Sequence, residues 1–177
     1  MTEQEWLESA DARRMLEALW ELYRGEELVL IPKLHRYLLA CCRRISRILP
    51  DEYSRRGVDV AERRFLGKGS REEFRRARWE CEGAAFNIDY DCDPPQIQRW
   101  VEQTQAIPRE ELAALLFPPE SADRIETREL LKRAAYFAHF ACAYSWRRLV
   151  RVPDSYSPFL SAKLLREFFG NPFLART

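Results

Sequence analysis

The chain has 177 residues, of which 46% are hydrophobic, 12% aromatic and 32% charged. This composition is typical of a globular protein and excludes an intrinsically disordered chain. A domain of this length buries roughly 70% of the surface of its unfolded chain, so its core requires neither disulfides nor a structural metal. The net charge of +1 gives the chain as a whole no preference for an anionic or a cationic partner.

The N-terminal segment predicts a cytoplasmic protein. Its acidic start lacks the basic and then apolar order of a secretory signal. No apolar run approaches the roughly 20 residues that cross a bilayer, so we expect no membrane association. In a reducing compartment the five cysteines are expected to be free thiols. They lie at irregular spacing: Cys41, Cys42, Cys81, Cys92 and Cys142.

Capping residues predict where several helices begin. Side chains that can accept a free backbone N–H precede apolar residues at helical spacing: Thr2 with Glu5, Asp11, Asp51, and Ser70 with Glu73. Residues 27–31 are apolar and β-branched, and they are the one segment that could be extended. We therefore place Pro32 in the first turn of the third helix, which ends at Pro50.

The second half of the chain predicts a central helix. The helical pattern breaks over residues 87–95. Within this stretch we interpret residues 89–95 as a loop and as the only plausible seam between subdomains. The longest helix is expected near 123–149, with small and aromatic residues on a broad face. A last helix starts at Ser157 and ends at Gly170. The prediction is an all-α, single-domain, irregular bundle of seven to eight helices that spans residues 1–177.

Cysteine and histidine chemistry has little support in the sequence. Neighbouring helical residues point about 100° apart, so we expect that Cys41 and Cys42 do not both face one core or chelate one ion. A zinc site needs four converging ligands at short spacing, and the sequence holds no such set. Buried structural thiols are the main interpretation. A metal-dependent or thiol-dependent protein that uses dispersed Cys and His is the distant alternative, with Cys42 activated by its arginine neighbours if it is exposed.

Charge is unevenly distributed along the chain. Residues 33–78 hold 14 Lys and Arg against 6 Asp and Glu, a net charge of +8, whereas residues 79–120 have a net charge of −7. The main interpretation is helices that pack with complementary faces. The alternative is a basic face for an anionic partner. Its candidate binding residues are Arg43, Arg44, Arg47, Arg55, Arg56, Arg71 and Arg75.

The Gly170-Asn171-Pro172-Phe173 segment has two interpretations. In the structural one, it ends a helix and returns an aromatic side chain to the core. In the functional one, Asn171, Pro172 and Phe173 form an exposed tail that a partner recognises. Removal of residues 171–177 separates the two, because only the first predicts a loss of stability.

Three segments together resemble a family of uncharacterised bacterial proteins. They are the opening Met1-Thr2-Glu3 with Glu5-Trp6-Leu7, the Ala40-Cys41-Cys42-Arg43-Arg44-Ile45 segment, and Leu164-Leu165-Arg166-Glu167 with Phe169-Gly170-Asn171-Pro172-Phe173. Leu38 and Leu39 depart from the family pattern, which often has a further Cys and small residues there. The resemblance implies a bacterial, cytosolic, helical protein and brings no known activity.

No hydrolase, P-loop or dinucleotide motif occurs in the sequence, and we predict no catalytic residue, cofactor or metal. The first functional hypothesis is therefore a non-enzymatic helical adaptor that binds another protein. The second is a nucleic-acid-binding protein that uses the arginine-rich 33–78 face. The sequence does not specify an oligomeric state.

Overall fold

Capping side chains mark the N-terminal ends of most α-helices in the computed structural model, which describes residues 1–143 and 152–174. Within these residues there are ten α-helices, one 3-10 helix and no strand, and the all-α prediction is confirmed. The helices are more numerous than the seven to eight predicted, because short helices such as α1 and α8 were not counted separately. In chain order they are α1 (Glu3–Glu8), α2 (Ala12–Leu22), α3 (Glu27–Arg44), α4 (Glu52–Phe65), α5 (Arg71–Asp89), α6 (Pro94–Gln105), α7 (Arg109–Leu115), α8 (Ser121–Arg124), α9 (Thr127–Ala143), the 3-10 helix (Asp154–Phe159) and α10 (Ala162–Phe169).

The predicted N-terminal caps are present, with one difference. The Thr2 hydroxyl accepts from the Glu5 N–H at 3.2 Å, and the Glu5 carboxylate accepts from the Thr2 N–H at 2.7 Å. The Ser70 hydroxyl likewise accepts from the Glu73 N–H at 3.0 Å. The Glu73 carboxylate pairs instead with Arg63 of α4, at 2.5 Å. The second capping box is therefore only half formed, because the Glu73 carboxylate forms an ion pair with another helix instead of accepting from the Ser70 N–H.

The start of α3 corrects the expectation of an extended segment at 27–31. These residues are helical from Glu27, and Pro32 lies inside the helix rather than in its first turn. Proline there removes one N–H bond to the carbonyl of Leu28. Leu28 is 85% exposed, so water can take the place of the lost donor. Burial of Leu30 and Ile31 favours the helix over a strand.

The central helix begins later than expected. Asp123 belongs to the short α8, and its carboxylate pairs with Arg109 at 2.8 Å instead of starting the long helix. The Glu126 carboxylate accepts from the Glu129 N–H at 2.9 Å at the beginning of α9. The predicted residues 144–149 lie outside the described part of the chain. α9 packs against α3, α4, α5 and α6, which agrees with its expected central position.

The last helix also starts later than the predicted Ser157. Ser157 and Pro158 lie in the 3-10 helix, and α10 begins at Ala162, where the Ser161 hydroxyl accepts from the Leu164 N–H at 3.3 Å. Gly170 ends α10 with a φ of 61°, a left-handed conformation that favours glycine.

The predicted 89–95 loop is shorter in the structure. α5 continues through Asp89 and α6 begins at Pro94, so only residues 90–93 connect them. Ile97 and Trp100 of α6 belong to the same hydrophobic core as α3 and α9. Among the described helices, none is both long and apolar enough to cross a membrane.

Candidate interaction surface

The two sides of α5 differ sharply in composition. Its inner side packs against α4 and α9 through small or compact residues: Ala77, Cys81, Ala84, Ala85 and Ile88. Small side chains let neighbouring helices approach closely and fill the space between them without cavities. The outer side of α5 is largely exposed and carries larger side chains.

Three aromatic residues are exposed on the outer side of α5. Trp79, Phe86 and Tyr90 are 68%, 41% and 68% exposed. Their spacing of seven and four residues places them along one helix face. Phe86 stacks on Tyr90 with ring centroids 5.6 Å apart, and Tyr136 of α9 contacts Phe86 edge-on at 6.2 Å. Clustered exposed aromatics of this kind are typical of interaction sites.

Gly83 lies on the same face, between Trp79 and Phe86, and is exposed. A Cβ at this position would meet no atom within 4 Å, and its φ is not positive. Neither packing nor backbone conformation within the described structure therefore requires glycine here. A glycine in a helix interior costs about 1 kcal/mol relative to alanine. The result is a notch in the aromatic ridge that the fold itself does not explain. We call Trp79, Gly83, Phe86 and Tyr90 the α5 ridge.

The two ends of the α5 ridge differ in charge. At the N-terminal end of α5, three arginines outnumber two glutamates: Arg71, Arg75 and Arg76 against Glu72 and Glu73. The C-terminal end is followed by the carboxylates of Asp89, Asp91 and Asp93. Asp91 pairs with Arg128 at 2.7 Å and Asp89 contacts Lys132 at 3.6 Å. These two cations offset only part of the acidic charge, and the helix C-terminus itself adds partial negative charge.

Most of the predicted anion-binding arginines are engaged within the fold. Their partners are Asp59 and Glu62 for Arg43, the carbonyls of Ala114, Phe159 and Leu160 for Arg44, Glu111 for Arg47, the carbonyl of Leu49 for Arg55, and Glu80 for Arg56. Within residues 1–143 and 152–174, only Arg71 and Arg75 of this set make no such contact. The structure therefore does not gather the seven arginines into one free basic face.

The predicted partner tail lies against the N-terminus of the chain. Asn171 donates to the Glu3 carboxylate at 2.5 Å and Pro172 is buried. Phe173 is half-buried against the core. The Trp6 indole N–H donates to the Gly170 carbonyl at 3.0 Å. These contacts favour the structural interpretation of the segment, and recognition by a partner stays a prediction.

The expectation that Cys41 and Cys42 do not both face the core is wrong. Both are fully buried, because α3 has neighbours on several sides at this level and two adjacent positions can face protein. Cys81 and Cys142 are also buried and hydrogen-bond to each other, whereas Cys92 is exposed. Burial raises the pKa of Cys42 well above its usual range. Arg43 and Arg44 therefore do not activate it.

A metal centre has no counterpart in the part of the chain that the structure describes. There, no group of three or more His, Cys, Asp or Glu side chains is placed to hold a metal ion.

The sequence analysis does not reveal the α5 ridge, because the helical pattern of apolar residues breaks at Asn87. With Tyr90 assigned to a loop, the spacing from Trp79 to Phe86 and Tyr90 did not register as one helix face.

Comparisons with known proteins add no assignment: no family model, curated protein or solved structure matches this chain. The resemblance to the bacterial family stays a prediction.

Proposed function

We propose that this chain is a protein-interaction domain and that the α5 ridge is its docking surface. The observation that carries the proposal is Gly83, exposed between Trp79 and Phe86 in the middle of the longest described helix. A glycine that weakens a helix without serving its packing is accounted for if another backbone must approach there. Exposed aromatics on either side of the notch supply apolar area with little loss of side-chain entropy on binding.

The nature of the ridge favours a protein partner over a nucleic acid. Nucleic-acid binding rests on several Lys or Arg that are free to contact phosphates. Five of the seven candidate arginines are occupied by carboxylates or carbonyls of the chain itself. A nucleic-acid-binding protein remains the alternative hypothesis. It predicts binding that weakens steeply as the salt concentration rises, and a fluorescence titration against a labelled duplex measures this dependence.

Site-specific photo-crosslinking tests the docking surface. Trp79 is replaced by p-benzoylphenylalanine in cells that make the protein natively, and the matched control places the same group at Leu28, which is exposed on α3. We expect a defined protein adduct from position 79 and none from position 28. Adducts at both positions, or at neither, contradict the proposal. Mass spectrometry of the adduct identifies whether the partner is another protein or a second copy of the chain.

A further inference from the structure

We infer that the partner of the α5 ridge is a second copy of this chain, which docks its own α5 antiparallel across a two-fold axis at Gly83. The inference rests on the proposed function and specifies its partner. Such an interface is isologous, so the same surface must be complementary to itself when it is rotated by half a turn. The α5 ridge meets this condition in shape and in charge.

The shape of the ridge is self-complementary about Gly83. When two antiparallel helices cross at this residue, a side chain four positions before it in one copy lies level with a position four after it in the other. At 1.5 Å per residue, Trp79 is about 6 Å from the axis and reaches the level of residue 87 in the second copy. Its indole then lies against the stacked rings of Phe86 and Tyr90, which are on the same face. The exposed Trp79 of each copy thus gains the aromatic neighbours that its own chain does not provide among the described residues.

The absence of a side chain at Gly83 fits the same arrangement. The two backbones are closest at the crossing point, where any side chain would hold the helices apart. Both copies present a glycine at that point because the axis passes through it. The open space around Gly83, where a Cβ would meet no side chain or neighbouring helix of the described residues within 4 Å, is then filled by the second copy.

Charge along the ridge also matches an antiparallel pair. Arg75 lies about 12 Å before Gly83 along the helix, and residue 91 lies the same distance after it. Arg75, which has no partner among the described residues, is thereby level with the acidic C-terminal end of the second α5. The exposed Arg76, which donates to Glu80 of its own helix at 2.8 Å, is level with Tyr90 of the second copy, where the outer face of the guanidinium can lie over the aromatic ring. A parallel pair would instead place Arg71 and Arg75 against their own copies.

Disulfide trapping tests the axis directly, because only a residue on a two-fold axis lies next to its own copy. Gly83→Cys is made in a Cys92→Ser background, which removes the only exposed native thiol. Close helices at a glycine crossing satisfy the Cα separation of roughly 4.4–6.8 Å that a disulfide needs. We expect a covalent dimer under oxidised glutathione. The matched control, Glu72→Cys on the same face, is about 33 Å from its own copy along the seam and should remain monomeric.

Sedimentation equilibrium of the purified full chain measures the association without a cross-link. We expect wild-type protein to approach twice 21.0 kDa as its concentration rises. Trp79→Ala should raise the dissociation constant of the dimer by roughly tenfold or more, and Leu28→Ala should not change it. A monomer at every concentration, or trapping at position 83 that does not exceed trapping at position 72, overturns the inference. If position 79 still forms a photo-adduct with a different protein, the docking surface stands and only its occupant changes.

Discussion

Four of the five cysteines lie in the core, and burial governs their chemistry. Burial raises the pKa of Cys41 to about 11 and holds the pKa of Cys42 far above its usual range. For Cys142, the hydrogen bond with Cys81 raises the pKa further than burial does. A thiol must ionise and be reachable to act as a nucleophile, and none of these three satisfies either condition.

Thiol labelling of the native protein should therefore modify Cys92 alone. We expect Ellman's reagent to titrate one thiol in the folded protein and all five after denaturation. In the folded Cys92→Ser variant, no thiol should react with the reagent. Rapid labelling of Cys42 in the folded state would contradict its burial and would show that this thiol is reactive.

His35 makes the stability of the protein depend on pH. Burial lowers its pKa from 6.5 to about 4, and a hydrogen bond with the Ala141 backbone opposes this only in part. The unfolded chain takes up the proton near pH 6.5, whereas the folded chain does so only near pH 4. The free energy of unfolding is thus fully maintained above pH 6.5 and falls by about 3 kcal/mol as the pH drops to 4.

Urea denaturation across this range measures the effect. We expect the difference in unfolding free energy between wild type and His35→Gln to shrink steadily from pH 7 to pH 4. A difference that does not vary with pH would show that His35 takes up its proton equally well in both states.

Substitution by alanine should change the unfolding free energy in opposite directions at the two glycines that lie inside helices. A Cβ at Gly57 of α4 would lie 3.1 Å from Cys81 Cβ and 3.4 Å from Cys142 Sγ. Gly57→Ala therefore forces α4 away from α5 and α9, and we expect a net loss of about 1 kcal/mol after the gain in helix propensity. Gly83→Ala has no such contact within its own chain and should add about 0.5–1 kcal/mol to the unfolding free energy of the chain at concentrations where it is monomeric. Urea denaturation of the two variants measures these changes. Midpoints that shift in the same direction would show that one of the two glycines is not packed as described.

At the scale of elements, α10 joins the two ends of the chain. The Arg166 guanidinium donates to the carbonyls of Trp6 at 3.2 Å and Ser9 at 2.8 Å, both at the C-terminal end of α1. Carbonyls at a helix end lack partners within the helix, so α1 depends on α10 to satisfy them. This contact explains how a helix of six residues remains ordered.

Arg166→Met should detach α1 from α10. Loss of two charge-assisted hydrogen bonds should lower the unfolding free energy by about 2–3 kcal/mol. Amide exchange in residues 3–8 should accelerate more than exchange in α9. Lys163→Met, at an exposed position on the same helix, should stay within about 0.5 kcal/mol of wild type. Similar losses in both variants would argue against a specific role for Arg166.

Helix type was predictable from sequence, and helix ends were predictable only where the cap is local. Thr2 and Asp11 bond to backbone N–H groups two or three residues away, so sequence spacing suffices. Asp123 has the same local pattern but pairs with Arg109, and that contact depends on the tertiary fold. The α5 ridge required the true end of α5, because Tyr90 joins Trp79 on one face only if the helix continues through Asp89.

At the scale of the molecule, the opposite charges of the 33–78 and 79–120 segments meet across helix contacts. Arg47 pairs with Glu111, and Arg56 lies 3.4 Å from Glu80. Exposed pairs of this kind contribute little to stability, with a typical value of about 0–1 kcal/mol each. They offset only part of the net charge of +8 on residues 33–78, and the aromatic ridge on α5 is a separate exposed feature of the described surface.

The central claim is that the α5 ridge serves a partner and not the fold. The most direct test adds Gly83→Gln to the protein that carries the photo-crosslinker at position 79. Glutamine is a good helix former, so the unfolding free energy of the unassociated chain, measured at low protein concentration, should rise or stay constant, while a side chain in the notch keeps the partner backbone away. We predict that the yield of the position-79 adduct falls at least several-fold in a protein that is no less stable. An adduct yield unchanged by Gly83→Gln would contradict the claim.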